Sequence, residues 1–155
     1  MTQVLWRNWA RNQQSAPISV ERPATEDQLV DVVRRAATSG QRVKAVGSGH
    51  SFTGVALTDG RLIALDKYSR IVNSDPGKST VTVQAGMPLH RLNVELHVRG
   101  LALENLGDIA YQTIAGAIST GTHGTGKLLG GLATQVTGLR LIAGDGSLID
   151  CSAEV

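Results

Sequence analysis

Gly47, Gly49 and Gly54 fall within eight residues, in the stretch AVGSGHSFTG from Ala45 to Gly54, directly after a short apolar run. Glycine reaches positive φ without a Cβ penalty and lets backbone approach a ligand closely. Ser48 and Ser51 add hydroxyl donors beside it. Such a stretch must be a loop held in place by the apolar segments around it, and its composition suits a phosphate cradle. Its spacing does not suit a Rossmann dinucleotide loop, because G-x-G-x-x-G would need its third glycine two residues before Gly54. His50 at the centre brings a side chain that is nucleophilic when neutral. The bland alternative is a turn carrying a surface histidine.

The segments leading into this loop have recognisable periods. Trp6 and Trp9, three residues apart in LWRNWARN, predict one face of a short helical turn packed onto a lobe. Ile18–Val20 reads as a strand ending before Pro23. Thr25-x-x-Gln28 is a capping box, so a helix starts there, with Leu29, Val32, Val33 and Ala36 on one face and Gly40 as its stop. Val43–Val46 is then a strand that runs straight into the glycine-histidine loop.

Beyond the loop, Leu62–Leu65, Ile71–Val72 and Thr80–Gln84 read as strands, the last two joined by a turn at Asp75-Pro76-Gly77. Alternation of Val81 and Val83 with threonines predicts one wetter face. A second helix is expected from Pro88 to about Arg99, with Leu89, Leu92 and Leu96 inward and Gly100 after it. His90 and His97 on this helix read as solvated or locally bonded. Val136–Ile142 and Ser147–Cys151 flank Ala143-Gly-Asp-Gly146 as a β-hairpin.

A second glycine cluster occupies Asn105–Gly131, NLGDIAYQTIAGAISTGTHGTGKLLGG. Within it GTHGTGKL, Gly121–Leu128, lies one residue from a Walker A loop, but Leu128 stands where a hydroxyl must ligate Mg²⁺. A nucleoside-triphosphatase is therefore not the reading. Small residues and hydroxyls at Thr113, Gly116, Thr120, Gly121 and Thr122 nevertheless offer donors to phosphate oxygens. His123 with His50 would make a poor metal site without a nearby carboxylate pair, so no metal is expected.

Composition removes other classes. Fifteen basic against thirteen acidic side chains leave a net charge of +2, and five aromatic residues give little stacking surface, so no nucleic-acid partner is expected. A single cysteine, Cys151, allows no internal disulfide and fits a reducing, cytoplasmic setting. The opening MTQVLWRNWARNQQ lacks the pattern of a secretory signal, and no run reaches the ~18 apolar residues of a membrane span. Peripheral membrane association stays open.

Three segments in order, NWARN at 8–12, VGSGHSF at 46–52 and NLGDIAYQTIAGAISTGTHGTG at 105–126, resemble the PCMH-type FAD-binding domain of the vanillyl-alcohol oxidase superfamily. Within it the likeness is to the sugar-lactone and alditol oxidase branch, the L-gulonolactone oxidase and D-arabinono-1,4-lactone oxidase type. The resemblance implies an α+β fold of two small α/β lobes, about 17–75 and 76–155, with FAD between them. The whole of 1–155 would be the FAD-binding part of a longer enzyme, whose cap domain for substrate would follow Val155.

The resemblance further implies a covalent bond from His50 to the flavin 8α-methyl. It implies that Val46, Gly47, Ser48, Gly49, His50, Ser51 and Phe52, together with Asp108, Thr113, Gly116, Thr120, Gly121, Thr122 and His123, contact FAD. Asp108 departs from the small uncharged residue common at its place. Gly107 would leave room for O₂ at the flavin and favour an oxidase. The implied activity is oxidation of a sugar-lactone or alditol CH–OH group by hydride transfer to the flavin, with electrons passed to O₂ or another acceptor. A catalytically silent flavin or nucleotide module, or an inactive fragment whose glycines merely form turns, is the rival reading.

Overall fold

The computed structural model describes residues 4–152; residues 1–3 of the opening segment and residues 153–155, with the expected chain end at Val155, lie outside the described residues. The chain divides into two compact units, one comprising residues up to Lys67 together with those from Thr137 onward, the other Tyr68–Val136. The terminal hairpin, expected in the second lobe, thus groups with the first unit, and 68–75 groups with the second.

In the first unit, β1 (Trp6–Arg7) pairs antiparallel with β2 (Gln14–Ser15), Trp6 opposite Ser15. The expected helical turn at Trp6–Trp9 is therefore replaced by a small hairpin. The three-residue spacing carried no information once Trp6 gained a cross-strand partner, since pairing overrides local propensity. Next come β3 (Ser19–Glu21), α1 (Glu26–Thr38), β4 (Val43–Val46) and β5 (Arg61–Ala64). The strands form a parallel sheet in the order β3-β5-β4. Parallel neighbours need a crossover between them. Between β4 and β5 that crossover is residues 47–60, so the glycine-histidine loop leaves the carboxyl end of β4.

The sequence signals for α1 work as expected at both ends. Thr25 accepts from the Gln28 N–H at 3.2 Å, while the Gln28 carboxamide accepts from Ala24 N–H at 2.8 Å, one residue upstream of the reciprocal capping-box bond. Gly40 at φ +61 ends the helix, with Gln41 N–H bonded to the Ala36 carbonyl, a Schellman closure. Leu29, Val32 and Ala36 are buried as expected, with Val30, and the sheet adds Val46, Leu62, Ile63 and Leu65. The antiparallel hairpin of the same unit joins Gly138–Ile142 to Leu148–Ser152. Arg140 pairs there with Asp150 at 2.6 Å and approaches Glu26 of α1 at 3.6 Å, contacts that tie the chain's last segment to its first helix.

In the second unit β6 (Ile71–Asp75) and β7 (Thr80–Val83) form a hairpin, turned at Pro76–Lys78 with Asp75 accepting from Lys78 N–H. Then follow α2 (Leu89–Val98) and α3 (Ile114–Ser119); in chain order the terminal hairpin strands are β8 and β9. Met87, Leu89, Leu92, Leu96, Ala117 and Leu132 make one buried cluster, with Val81 and Val83 packed against it. The inward triad of α2 thus falls where its spacing placed it. Residues 110–115 are stitched alongside 85–90: Leu89 N–H bonds Gln112 O, His90 N–H bonds Ala110 O and Ile114 N–H bonds Met87 O. Among the described residues no helix is long and apolar enough to cross a membrane.

Glu21 in β3 is the most elaborated ionic position in the first unit. It accepts from Arg61 at 2.7 Å and from Ser19 Oγ at 2.9 Å, with Arg35 at 3.7 Å. Partial burial pushes this carboxyl up, but the Ser19 and Arg61 hydrogen bonds and the charges of Arg35 and Arg61 outweigh it, leaving the group below its ordinary value of 4.5. A folded-state pKa that is depressed contributes stability above the unfolded value, and the contribution is lost as pH falls through the folded one. Glu21→Gln should therefore destabilise most near neutral pH, and the gap from the parent in denaturant unfolding should close as pH drops below 4.5. A gap independent of pH would contradict this.

Candidate functional site

The loop after β4 is held by the chain's first hairpin. Trp9 N–H donates to Gly49 O at 2.9 Å. Asn8 Nδ2 donates to Ser51 O at 3.0 Å, and Asn12 Nδ2 to Phe52 O at 3.1 Å. Asn8 is 3% exposed, and its carboxamide also bonds Asn12 Oδ1 at 2.7 Å and accepts from Gln13 N–H at 3.1 Å. The carbonyls on both sides of His50 are thus turned toward the 8–12 segment. Carbonyl and N–H point opposite ways across a trans peptide. The N–H groups of His50, Phe52 and Thr53 are accordingly aimed away from that segment.

Gly49 is needed for this geometry. It sits at φ +70, and a Cβ there would lie 3.3 Å from the Trp6 ring. Any other residue would add left-handed strain to a tight contact. N–H groups facing outward beside a positive-φ glycine are donors that such a loop can offer to phosphate oxygens. His50 itself is half-buried, and its ring stacks on Trp9 with centroids 5.2 Å apart and planes at 24°. Phe52 meets Trp9 edge-on at 6.4 Å. Val46 is buried at the end of β4, Gly47, Ser48 and Phe52 are exposed, and Ser51 is half-buried.

The second glycine segment is folded back on itself within its own unit. Asn105 Nδ2 donates to Gly130 O at 2.9 Å, while Gln135 bonds Asn105 O and Glu104 N–H, both at 3.1 Å. Gly124 lies so close to the Asn105 side chain and the Leu106 carbonyl that a Cβ has no room. Thr113 is buried and caps α3, accepting from Gly116 N–H at 3.3 Å. Thr120 Oγ1 donates to Gly116 O at 2.7 Å, and Gln112 Nε2 donates to Thr122 Oγ1 at 3.1 Å. These three hydroxyls have local structural partners, which the sequence did not reveal. Gly121 takes φ +68, and Asp108 and His123 are exposed. His123 Nδ1 lies 2.8 Å from Gly124 O, an acceptor, so Nδ1 carries the proton. Gly107 is half-buried, and a Cβ on it would meet Thr122 Cγ2 at 2.8 Å.

A model of the FAD binding domain family matches residues 17–152. The chain belongs to that family. An FAD-binding domain is what the outward N–H groups of the 47–53 loop fit, since the cofactor's pyrophosphate requires several donors. Among curated proteins, L-gulono-1,4-lactone dehydrogenase of Mycobacterium tuberculosis is 43% identical over 148 residues, covering 96% of this chain and 35% of that protein. L-gulonolactone oxidase of Bos taurus is 40% identical, covering 96% of this chain and 34% of that protein. D-arabinono-1,4-lactone oxidase of Yarrowia lipolytica is 38% identical, covering 96% and 29%. The chain spans about a third of the length of these relatives.

Solved structures with the same fold include cholesterol oxidase from Brevibacterium sterolicum, at TM-score 0.79 and 19% identity, covering 97% of this chain and 32% of that chain. Chitooligosaccharide oxidase matches at TM-score 0.83 and 21% identity, covering 92% and 31%. The FAD-binding domain and the mixed helix-and-strand fold read from the three motifs therefore hold. Reading the sequence missed Asn8, Asn12, Asn105 and Gln112 as the groups that position the two loops. The available signal was a run of carboxamides around a tryptophan, Asn8-Trp9-x-x-Asn12-Gln13-Gln14, with no helical period to absorb it.

Asn8→Ala would strip the buried bond to Ser51 O and leave the Gln13 N–H without its acceptor. Leaving such groups unpaired costs about 1–3 kcal/mol. Urea unfolding should register that loss; a change within about 0.5 kcal/mol, the span of an ordinary surface substitution, would contradict the account of the loop.

Proposed function

We propose that this domain is the FAD-binding portion of a flavin-dependent oxidoreductase that oxidises a CH–OH group of a sugar lactone or alditol. Electrons then pass to O₂ or another acceptor, and FAD is bonded covalently to His50. The observation that carries the reading is the clamped 47–53 loop, whose N–H donors face away from the segment that holds them and whose histidine ring is stacked on Trp9 of that segment. The relatives named above, aldonolactone oxidases and a dehydrogenase, support the substrate class. A cytoplasmic setting goes with the reading and suits the single cysteine.

FAD, when bound, supplies the two-electron acceptor that no side chain provides. This chain's part is to bind and orient it. The N–H groups of His50, Phe52 and Thr53 hold anionic oxygens, and His50 contributes a ring nitrogen as the tether. In the second unit Gly107, Asp108, Thr113, Gly116 and Thr120–His123 are the residues that would contact FAD. There Thr113, Thr120 and Thr122 act by shaping the backbone, because their hydroxyls already have local partners.

Flavin fluorescence on a denaturing gel tests the tether. The parent, expressed with ample FAD, should give a fluorescent band that His50→Ala loses. Flavin released on denaturation would keep FAD binding and defeat the covalent link. Failure to retain any flavin would favour the inactive fragment whose glycines merely form turns.

Gly107 is read as an opening for O₂, but the contact with the Thr122 methyl is a competing reason for glycine there. Gly107→Ala in the intact enzyme should slow reoxidation by O₂ while sparing artificial acceptors. Adding Thr122→Ser, which removes the methyl, should leave that selective defect in place. Recovery of O₂ reactivity in the double variant would assign Gly107 to packing instead.

A further inference from the structure

The histidine proposed as the tether does not stand alone on its loop. Its ring is covered by the indole of Trp9, from near the start of the chain, with centroids 5.2 Å apart and planes 24° from parallel. The backbone that carries that indole is itself fixed. The backbone N–H of Trp9 is bonded to Gly49 O, the residue before His50, and the neighbouring Asn8 is buried and bonded to Ser51 O, the residue after it. Backbone on both sides of the histidine and the ring of the histidine are thus engaged by two adjacent residues. The segment precedes the stretch matched by the FAD binding domain model, residues 17–152.

An imidazole on a glycine-rich loop would ordinarily sample several χ1 and χ2 settings. A near-parallel neighbour at this distance favours one plane, because offset stacking is the preferred arrangement of aromatic pairs. The plane decides which direction each ring nitrogen faces. We propose that Trp9 is a positioning residue for His50, setting the plane of the imidazole so that one ring nitrogen is presented for attachment of the flavin. Attachment forms a bond from that nitrogen to the 8α carbon, breaks one methyl C–H and the imidazole N–H with loss of their protons, and leaves the electron pair on the flavin, from which O₂ removes it. Asn8 and Asn12 place the loop, and Trp9 places the ring. The part concerning attachment rests on the tether reading above; the part concerning ring orientation does not.

Trp9 is 63% exposed, so its removal opens no buried cavity, and its loss should act on the loop rather than on the fold. Trp9→Ala and Trp9→Phe separate the two effects. The first readout needs no flavin: the carbon-bound ring protons of His50 in the 155-residue chain, observed by NMR. In the parent they should be displaced by the indole ring current, in Trp9→Ala they should return toward ordinary histidine positions, and in Trp9→Phe part of the displacement should persist. The second readout is the rate at which denaturation-resistant flavin accumulates when excess FAD is added to protein expressed without riboflavin. It should fall about two- to tenfold in Trp9→Ala, the span a stacked aromatic pair carries, and recover in Trp9→Phe.

Unchanged ring shifts in Trp9→Ala would overturn the proposal. So would lost shifts with an unchanged linkage rate, or an equal loss in Trp9→Ala and Trp9→Phe accompanied by a matching drop in unfolding midpoint, which is a merely structural role. If the parent itself releases all its flavin on denaturation, the tether reading fails, and the ring shifts alone then decide whether Trp9 orients His50.

Discussion

A buried carboxamide, that of Asn8, is the interaction on which the first unit's site depends. A side chain with two donors and an acceptor, almost fully removed from water, must find partners for all of them or cost the fold about 1–3 kcal/mol. It finds them in Asn12, Gln13 and the Ser51 carbonyl. Satisfying Asn8 therefore fixes the loop after β4, and fixing the loop turns its carbonyls inward and its N–H groups outward. The parallel sheet makes this possible. Because β4 and β5 run the same way, the chain must travel back over the sheet between them, and the outward stretch of that path begins at the carboxyl end of β4, the customary place for ligands in α/β architecture.

The second unit reaches a comparable result by close approach of backbone. Gly124 passes against Asn105 and Leu106, and Gly107 against Thr122, with room for hydrogen alone at each glycine. The helix α3 is held at its start by the strand-like pairing of 110–115 along 85–90. Glycines in this segment serve packing of the loop on itself as much as access for a ligand. That is why Gly107 carries two physical readings at once.

Much of the scaffold was legible because its signals are local. The Thr25 and Gln28 pair, Gly40, the leucine triad of α2 and the Ala143–Gly146 turn each specify geometry within a few residues, and each element formed where expected. What was not legible is what depends on partners far along the chain. Trp6 and Trp9 looked helical by spacing, but Trp6 pairs with Ser15 and Trp9 lies on His50. Six residues of α3 were hidden in an Ala, Gly and Ser run, where Ile114, Ala117 and Ile118 make an inward face too short to read as a helical period. The grouping of the last hairpin with the first unit rests on contacts such as Arg140 with Glu26 and Arg34 with the Gly146 carbonyl, which span more than a hundred positions. The loops were identifiable by composition and family resemblance; the residues that hold them in shape were not.

The proposed function turns on the glycine-rich loop of residues 46–53 as a grip for FAD. Amide hydrogen exchange compared between protein produced without flavin and protein produced with ample FAD tests it most directly. The account predicts that this loop gains protection on loading, with His50, Phe52 and Thr53 N–H among the most slowed. Unchanged exchange in this loop while FAD is bound would contradict it.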